Sequence, residues 1–562
     1  MGKNTEIADI FEKIADALEV KGDIIFKINA YRKAAKVLRE YSEDISAIEP
    51  TEIAGIGKGM AEKIEEYLKT GKIKKYEEVM ADIPEGLLEL LNISNVGPKT
   101  LQLLHKELGV NNLADLEKVL KEGKLSGLPG MGEKKEENIS KGVFLYKAGK
   151  ARMPLAVALR VAKEFIKPLS GVSESVYPAG SIRRMKETIG DIDILATGDN
   201  VKDIIETFVR QPYVKEILAK GDTKVSVRTS FEDRQVDLRV VEKESWGAAL
   251  VYFTGSKAHN IKLRGLAKDK GLKINEYGVF KGTERIAGRT EKDVYKTLGV
   301  RWMPPEMRED RGEIELAIEG KLPILIEQEN IRGDLHIHSN YSDGTESIET
   351  MVLAAKGLGY EYIGISDHSK SSRIAGGLSE ERLKRRNEEI DRVQDRIKGI
   401  KILKGMEVDI LSDGRLDYSD SILEELDFVI AAVHQGFTKN VSKRMKTAMD
   451  NPWVDILAHP TGWLLSWREG YNINIEEVME YAAEKGVLLE INASYNRLDL
   501  NDVNIMKAKT YGAKFMIGTD SHNTGMLEDM ELGIGTARRG WLESKDVFNT
   551  YRWDDIPLRR RR

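Results

Sequence analysis

Apolar residues recur at helical spacing through the first 150 residues, with short glycine-containing breaks between them. Phe11, Ile14, Ala15 and Leu18 fall three or four residues apart, which places them on one face of a helix. The same spacing recurs over residues 31–38. The pattern therefore predicts a helical N-terminal region.

The pattern changes near residue 151, where short apolar runs begin to alternate with helical stretches. Runs at 192–195 and 236–240 predict strands of a mixed sheet. Residues 301–332 contain two consecutive prolines and many charges, which is typical of a linker. After Gly333 strands alternate regularly with helices, which predicts a parallel β/α domain and favours a barrel. The predicted strands of that domain are residues 362–366, 402–403, 428–433, 456–458, 488–491 and 515–519.

A short repeat occurs three times in the helical region, and each copy is an apolar residue, a tight turn ending in glycine, and a new helix. Such a turn exposes unpaired N–H groups at the positive end of a helix, which can bind phosphate without reading bases. One copy would more simply be an ordinary turn. Three copies resemble helix-hairpin-helix motifs, although Glu136 stands where the third should have a small residue. The resemblance implies DNA contacts at Gly55, Gly57, Gly97 and Gly132.

Three aspartates fall at strand positions in the predicted mixed sheet. Asp191 and Asp193 are two residues apart and share one face of a strand, while Asp237 has the same setting on a second strand. Converging carboxylates repel one another unless divalent cations lie between them. Two Mg²⁺ ions about 3.5–4 Å apart would serve in-line phosphoryl transfer. The alternative is a solvated acidic strand face, but the preceding Gly-Ser and paired arginines at 180–184 offer donors for a triphosphate.

These motifs together resemble a family X DNA polymerase, which is built around a nucleotidyltransferase palm, over residues 1 to about 316. The resemblance implies that Asp191, Asp193 and Asp237 hold the metal ions, with Asp237 beside the primer 3′-hydroxyl. It implies further that the triphosphate, the sugar and the base of the incoming nucleotide are contacted by Gly180, Ser181, Arg184, Arg152, Tyr252, Phe253, Gly255, Lys257, Asn260 and Arg264. Tyr252 and Phe253 would pack under the sugar, although core packing alone could also account for both rings.

The N-terminal segment is similar to the small domain that removes a 5′-deoxyribose phosphate in repair members of this family. Lys63 matches the lysine that forms a Schiff base there, and Lys27 matches a 5′-phosphate contact. Two positions depart from the pattern, because Gly59 replaces a second lysine and Phe26 replaces a histidine. The resemblance implies 5′-phosphate binding and raises lyase activity at Lys63 as a hypothesis, and the alternative is a solvated helix lysine.

Histidine is concentrated in the C-terminal part of the chain, where six of its eight copies lie between residues 336 and 522. His336 and His338 share one strand face, the other four come after apolar runs, and acidic residues occupy matching positions. The carboxyl ends of barrel strands are where such folds place their chemistry. One histidine there is more often structural, but six with matching acids indicate a multinuclear metal site.

The pattern resembles the PHP (polymerase and histidinol phosphatase) domain, a distorted (β/α)7 barrel, over about 333–562. The resemblance implies one ion held by His336, His338, Glu407 and Asp520, with Glu407 shared with a second. The second would be completed by His434 and His459, and a third would be held by Asp343, His368 and His522. Zn²⁺ or Mn²⁺ suits these ligands, and such a centre hydrolyses phosphoesters.

The amino-acid composition excludes several classes of protein and of binding site. The 562 residues hold 87 Lys and Arg against 92 Asp and Glu, a net charge of −5, so DNA binding would rest on local patches. Cysteine is absent, which excludes disulfide scaffolds, thiolate metal sites and cysteine nucleophiles. The N-terminus lacks the apolar core of a signal peptide, and no apolar run reaches membrane-spanning length. We expect a cytoplasmic, nucleoid-associated protein that is a monomer.

The expected organisation is a 5′-phosphate-binding domain (1–85), fingers (86–150), palm (151–240), thumb (241–316), linker (317–332) and PHP domain (333–562). The expected function is that of a DNA repair polymerase that fills short gaps from deoxynucleoside triphosphates. Its PHP domain would act as a 3′–5′ exonuclease or 3′-end phosphoesterase and cleave abasic sites. One alternative is a DNA-docked phosphoesterase with a vestigial polymerase, and another is a non-catalytic scaffold for DNA ends. The complete ligand sets in both regions disfavour these alternatives.

Overall fold

A computed structural model describes residues 3–40, 45–53, 56–84, 86–93, 95–231, 234–465, 470–556 and 558. The chain divides into two compact units, the first ending at Ala151 and the second beginning at Arg152. Among the described residues, no helix is both long and apolar enough to cross a membrane.

The first unit is helical, as the apolar spacing predicts. Its first core packs Phe11 edge-on against Tyr31 with ring centroids 5.6 Å apart. A second core gathers around Leu101, Leu104 and Leu116. The α-helices of this unit are Lys3–Val20, Ile25–Glu40, Lys58–Thr70, Lys74–Met80, Pro98–Leu108, Leu113–Lys121 and Glu133–Ala151.

The palm of the second unit is a five-stranded mixed sheet. In spatial order its strands are Ser175–Pro178, Ile192–Thr197, Gln235–Val240, Lys224–Thr229 and Val214–Lys220. Ile192–Thr197 pairs in parallel with Gln235–Val240, and the other pairs are antiparallel. Helices Leu155–Leu169 and Val201–Val209 cover one face, where Phe165 meets Phe208. The opposite face of the two central strands is thereby left for polar side chains.

The thumb packs helices against a small antiparallel sheet. The buried carboxylate of Glu291 connects the thumb to the palm through hydrogen bonds. It accepts hydrogen bonds from Arg183 at 2.8 and 3.0 Å, from Arg308 at 2.7 and 3.2 Å, and from Trp302 at 3.0 Å. The thumb elements are helices Trp246–Thr254, Lys257–Asp269, Glu291–Thr297 and Glu313–Glu319, and strands Lys273–Asn275, Gly278–Lys281 and Glu284–Ala287.

The segment expected to be a linker, residues 317–332, packs against the C-terminal barrel. Its Ile326 is fully buried, and the Ile326 N–H donates to the carbonyl of Leu542 at 3.0 Å. Leu325 forms an antiparallel bridge with Glu543. The segment is therefore held in place over much of its length, although its sequence has the proline and charge content of a loop.

The C-terminal region is a barrel of parallel strands, as predicted. Its strands form a three-stranded and a five-stranded sheet. Parallel bridges from Ile337 to Ser521 and from His368 to Glu407 join the two sheets. The fourth segment continues the third after a two-residue break, so the barrel has seven strands. The segments are Gly333–Asp334, Tyr362–Ile365, Lys401–Lys404, Glu407–Asp409, Ile430–Ala432, Ile456–Leu457, Leu488–Asn492 and Phe515–Gly518.

Helices surround this barrel on the outside. They are Ile348–Gly357, Glu380–Arg396, Asp420–Leu423, Val441–Asp450, Ile475–Lys485, Asp502–Thr510 and Met530–Arg539. The barrel interior is filled by an apolar cluster that includes Leu335, Tyr362 and Phe428. Two glycines face the Phe428 ring, because an added Cβ would lie 2.5 Å from it at Gly364 and 2.0 Å at Gly405.

Gly405→Ala is expected to lower the free energy of unfolding of the barrel by about 1–3 kcal/mol, because the Phe428 ring must move to admit the methyl group. Thermal unfolding of the full chain measures the loss. Gly357→Ala is the matched control, since no atom lies within 4 Å of its added Cβ. A wild-type melting curve for Gly405→Ala would contradict the packing described here. Adding Phe428→Leu should recover part of the loss.

Candidate active sites

The palm brings the predicted carboxylates together on two central strands of its sheet. Asp193 and Asp237 are direct partners across the parallel strand pair, and Asp191 immediately precedes the first of these strands. Burial, followed by the charges of Asp191 and Asp237, raises the pKa of Asp193 to about 7. Asp237 accepts a hydrogen bond from Gln235, whose Nε2 lies 2.8 Å from Oδ1 of Asp237. Because burial and the neighbouring carboxylates disfavour the charged form of Asp193, divalent cations would supply the positive charge that this cluster lacks.

Gly180 approaches this cluster more closely than any other residue type could. Its φ is +61°, and an added Cβ would lie 2.4 Å from Oδ2 of Asp193. The adjoining cavity, of about 100 Å³, is lined by Asp193, Asp237, Lys224, Arg239 and Phe253 among others. The Gly-Ser turn therefore lies directly against the carboxylates.

Two arginines expected at the triphosphate lie near this turn but have partners in the protein. Arg184 donates to the carbonyl of Thr254, and its Nε lies 3.0 Å from Oε1 of Glu309. Arg152 donates to the hydroxyl of Thr188 at 2.9 Å and to its carbonyl at 2.5 Å. Ser181 is half-buried in the short helix Gly180–Arg183. A triphosphate would thus compete with Glu309 for Arg184.

The residues expected at the sugar and base lie around the end of helix Trp246–Thr254. The rings of Tyr252 and Phe253 are 5.1 Å apart, and the Arg239 guanidinium lies 4.7 Å from the Phe253 ring. The side-chain amide of Asn260 donates to the carbonyl of Tyr252 at 2.7 Å. Arg264 lines a cavity together with Tyr252 and Asn260. Gly255, with φ +73°, ends the helix, and Lys257 lies exposed at the start of the next.

The barrel gathers the predicted histidine and acid ligands at one end. Glu407 is central, because its Oε1 lies 3.1 Å from His459 and 3.2 Å from His434, and its Oε2 lies 2.9 Å from His368. His338 lies 3.2 Å from Asp520. Three groups have ligand atoms within 4.8 Å of one another, which are His338, Asp343, His368 and His522; His336, His338 and Glu407; and His368, Glu407 and His434.

Many of these ligand atoms are buried and make no hydrogen bond of good geometry with the described residues, although several have polar neighbours 2.9 to 3.2 Å away. They are Nε2 of His336, both ring nitrogens of His338, Oδ1 of Asp343, Nδ1 of His368, Oε2 of Glu407 and Nδ1 of His459. Unsatisfied polar atoms are costly in a protein interior. So many such atoms at one end of the barrel indicate that metal cations belong among them, and imidazole and carboxylate ligands fit Zn²⁺ or Mn²⁺.

Two carboxylates that contact the predicted histidine ligands were not predicted from the sequence. Nδ1 of His336 lies 2.5 Å from Glu490, and Nδ1 of His434 lies 2.5 Å from Asp409. Burial would lower the pKa of His336, but the charges of Glu490, Asp520 and Glu407 raise it well above its ordinary value. Such carboxylates fix the ring orientation of a ligating histidine. Asp409 follows Glu407 by two residues in a strand, and this spacing is the signal that could have found it.

Backbone conformation at the barrel site is also unusual. His459 has φ +26° and Asp520 has φ +54°, although neither is glycine. Residues other than glycine seldom adopt such values, and those that do cluster at functional sites. Gly518 lies nearby, where an added Cβ would be 2.4 Å from Oε1 of Glu490.

In the first unit, Lys63 donates to the carbonyl of Gly59 at 2.9 Å, and its ammonium lies 5.9 Å from the Tyr31 ring centroid. Lys27 pairs with Asp23 at 3.1 Å. Phe26, which replaces the histidine of the family pattern, is 83% exposed. The first helical core therefore carries Lys63 near the ring of Tyr31, and it also carries an exposed apolar side chain, Phe26.

Three of the glycines predicted to contact phosphates lie directly before helices. Gly57 and Gly97 each immediately precede a helix, and no atom lies within 4 Å of an added Cβ at either. Gly132 precedes helix Glu133–Ala151 in the same way, whereas Gly55 lies outside the described residues. Glu136 has a structural role, since its carboxylate accepts a 2.6 Å hydrogen bond from the backbone N–H of Ser126.

Comparison with known proteins matches four family models to this chain. They are a helix-hairpin-helix domain (2–73), a SAM-like helix-hairpin-helix tandem (87–142), the DNA polymerase beta thumb (249–309) and the PHP domain (334–494). The chain is 41% identical over 565 residues to the DNA polymerase/3′-5′ exonuclease PolX of Bacillus subtilis strain 168, with 98% of each chain covered. The chain belongs to the family X DNA polymerases that carry a PHP domain.

Two eukaryotic relatives match about half of this chain. The chain is 27% identical to DNA polymerase lambda of Rattus norvegicus over 54% of its length, and 28% identical to that of Arabidopsis thaliana over 54%. These matches cover 56% and 62% of the two relatives. The family X assignment confirms the predicted multidomain fold of helix-hairpin-helix region, palm, thumb and PHP barrel.

Removal of divalent cations with a chelator is expected to lower the melting temperature of the chain, and Zn²⁺ or Mn²⁺ should restore it. The reason is that an ion bound only by the folded barrel adds its binding energy to stability. His338→Ala should hold fewer ions per chain in elemental analysis, because both its ring nitrogens lack a partner among the described residues. His105→Ala, in a helix of the first unit, should keep the full number. Unchanged ion content in His338→Ala would exclude the barrel site.

Proposed function

We propose that this chain is a DNA repair polymerase that fills short gaps and also removes nucleotides from 3′ ends. The observation that supports this proposal is the presence of two separate clusters of potential metal ligands. One consists of aspartates on the palm sheet, and the other consists of histidines and acids at the end of the barrel. The polymerase/exonuclease activity named for the Bacillus subtilis relative matches that division. The barrel would also hydrolyse 3′-phosphoesters and cleave abasic sites.

In the palm, Asp191, Asp193 and Asp237 would hold two Mg²⁺ ions. Ions at this position supply charge neutralisation for in-line phosphoryl transfer. Asp237 would lie beside the primer 3′-hydroxyl and orient that group. The turn at Gly180 and Ser181 would donate hydrogen bonds to the triphosphate, and such fixed donors lower the barrier without reorganising.

Arginines would complete the triphosphate site. Arg184 would exchange its contact with Glu309 for a phosphate, and Arg152 lies farther out beside Gly190. Charge-assisted arginine–phosphate hydrogen bonds are about twice as strong as neutral ones. Tyr252 and Phe253 would pack under the sugar and disfavour a ribose. Gly255, Lys257, Asn260 and Arg264 would contact the base of the incoming nucleotide and the template.

In the barrel, the nine predicted ligands would hold up to three Zn²⁺ or Mn²⁺ ions. Ions in such a centre activate water and neutralise the phosphate of a 3′ terminal nucleotide. Glu490 and Asp409 hold His336 and His434 in fixed orientations through their Nδ1 atoms. The ligand set therefore needs little rearrangement when an ion binds, because its rings are oriented in advance.

Gapped or nicked DNA is the proposed partner. The helix-hairpin-helix turns at Gly57, Gly97 and Gly132, with Gly55 outside the described residues, would bind backbone phosphates through their free N–H groups. Lys27 would bind a 5′-phosphate at the far side of a gap. The monomeric state and nucleoid association stay predictions.

Asp193→Ala is expected to reduce nucleotide addition to below detection and to leave 3′-end hydrolysis near the wild-type rate, and His338→Ala should do the opposite. The physical reason is that each side chain belongs to one cluster only. A labelled primer in a short-gapped duplex, incubated with and without deoxynucleotides, measures both activities on one gel. Asp199→Ala is the control, since Asp199 is an exposed palm aspartate paired with Lys243. Loss of both activities in either variant would refute the two-site proposal.

Borohydride reduction with DNA carrying a 5′-deoxyribose phosphate is expected to trap a covalent adduct through Lys63. A neutral amine attacks the sugar aldehyde, and only a Schiff base is trapped by reduction. Lys63→Ala should abolish the adduct and Lys58→Ala should preserve it. If the wild-type chain forms no adduct while a known lyase does, the Lys63 hypothesis is wrong.

A further inference from the structure

One helix of the barrel contacts the nucleotide-binding turn of the palm directly. Helix Met530–Arg539 places Gly535 against Met185, where an added Cβ would lie 2.5 Å from the Met185 side chain. Leu532 of the same helix belongs to the apolar core of the palm. Met185 itself has φ +52° and directly follows Arg184. A barrel helix therefore packs directly against the residue that follows Arg184.

The last residue of this helix, Arg539, is 3% exposed and connects the two domains by hydrogen bonds. Its Nη1 donates to the carbonyl of Arg184 at 2.7 Å and to Oε1 of Glu309 at 3.0 Å. Its Nη2 donates to the carboxylate of Asp502, which also lies 3.1 Å from Nη1 of Arg311. Arg539 is thus fixed by Asp502 on the barrel side and reaches into the palm.

Glu309 is shared by two guanidinium groups. Its Oε1 lies 3.0 Å from Nε of Arg184 and 3.0 Å from Nη1 of Arg539. Burial would raise the pKa of Glu309, but Arg184 and Arg539 lower it below its ordinary value. One ionised carboxylate therefore divides its attraction between a palm arginine and a barrel arginine.

The sharing of Glu309 between Arg184 and Arg539 matters because Arg184 is also expected to bind the triphosphate. If Arg539 were absent, Glu309 would pair with Arg184 alone and hold it away from a phosphate more strongly. The Arg184 carbonyl would also lose the donor that fixes the turn. Both changes act in the same direction, toward weaker binding of the triphosphate.

We propose that Arg539 of the PHP barrel is a positioning residue for the palm, which frees Arg184 to bind the triphosphate of the incoming nucleotide. This inference rests on the proposed function and adds that the barrel sets the nucleotide affinity of the polymerase. Coupling of this kind is reciprocal. When a triphosphate binds Arg184, the contact between Arg184 and Glu309 is lost and Glu309 pairs with Arg539 alone. Nucleotide binding would therefore strengthen the contact between barrel and palm.

The test compares Arg539→Gln with the wild-type full chain in steady-state extension of a gapped primer, with the deoxynucleotide concentration varied. The KM for the nucleotide should rise by about tenfold, the size expected for loss of a charged hydrogen bond, with kcat within about twofold. The matched control is Arg538→Gln. Arg538 is the adjacent residue of the same helix and binds Glu306 at 2.8 Å and Glu327 at 2.8 Å instead. Its variant should keep the wild-type KM.

Rescue distinguishes this electrostatic role from general damage to the interface. In the double variant Arg539→Gln/Glu309→Gln, the competing carboxylate is gone, and KM should return to within about threefold of wild type. A wild-type KM in Arg539→Gln, or equal increases in Arg538→Gln and Arg539→Gln, would overturn the proposal. So would a double variant with a KM as high as that of Arg539→Gln.

Folding and the proposed function are checked in the same samples. Retained 3′-end hydrolysis and a wild-type melting curve show that Arg539→Gln is folded. If it is not, Arg539→Lys replaces it, with a smaller expected rise in KM because the charge remains but the two-armed donor is lost. A wild-type chain that binds no triphosphate in a Ca²⁺ buffer and extends no primer would refute the polymerase itself. Wild-type extension with an unchanged KM in the Arg539 variants would refute only the role of Arg539.

Discussion

The buried carboxylate of Glu407 is the constraint on which the barrel depends. Imidazole nitrogens of His434, His459 and His368 lie 3.2, 3.1 and 2.9 Å from its oxygens. A carboxylate can be buried so completely only where opposite charges or ligands surround it. The strand ends must therefore meet around Glu407, and the strand that carries it is interrupted just before this residue, at Gly405 and Met406. The palm meets the same constraint with Asp193 and Asp237, which are adjacent on a half-buried face.

Period-two alternation predicted the aspartate cluster, and histidines near strand ends predicted a metal site in the barrel. The full set of nine barrel ligands was implied by the family resemblance. The pairing of Asp193 with Asp237 follows from strand spacing once the two strands are parallel neighbours, and most of the barrel histidines follow an apolar run. Asp343 lies in a polar stretch with no such signal. These signals are local, because a side chain's face is set by the residues on either side of it. The helical first unit was predictable for the same reason.

Contacts between distant segments could not be predicted in this way. Arg184 and Arg539 are separated by 355 residues, and no periodicity indicates that a barrel helix donates to a palm carbonyl. Glu490 was missed because a single acid in an apolar strand gives no spacing signal. The packing of residues 317–332 was missed because proline and charge content describe local chain preference, whereas Ile326 is fixed by a neighbour, Leu542, far along the sequence.

The apolar contact between barrel and palm has a consequence for dissecting this chain. Leu465, Leu498 and Leu532 complete the hydrophobic core of the palm, although all three belong to the barrel. A fragment cut near residue 316 would expose the palm surface that they cover, and exposed apolar patches promote self-association. The polymerase half is thus not a free-standing module. Any barrel transplanted onto this palm would have to reproduce those three side chains to keep it soluble.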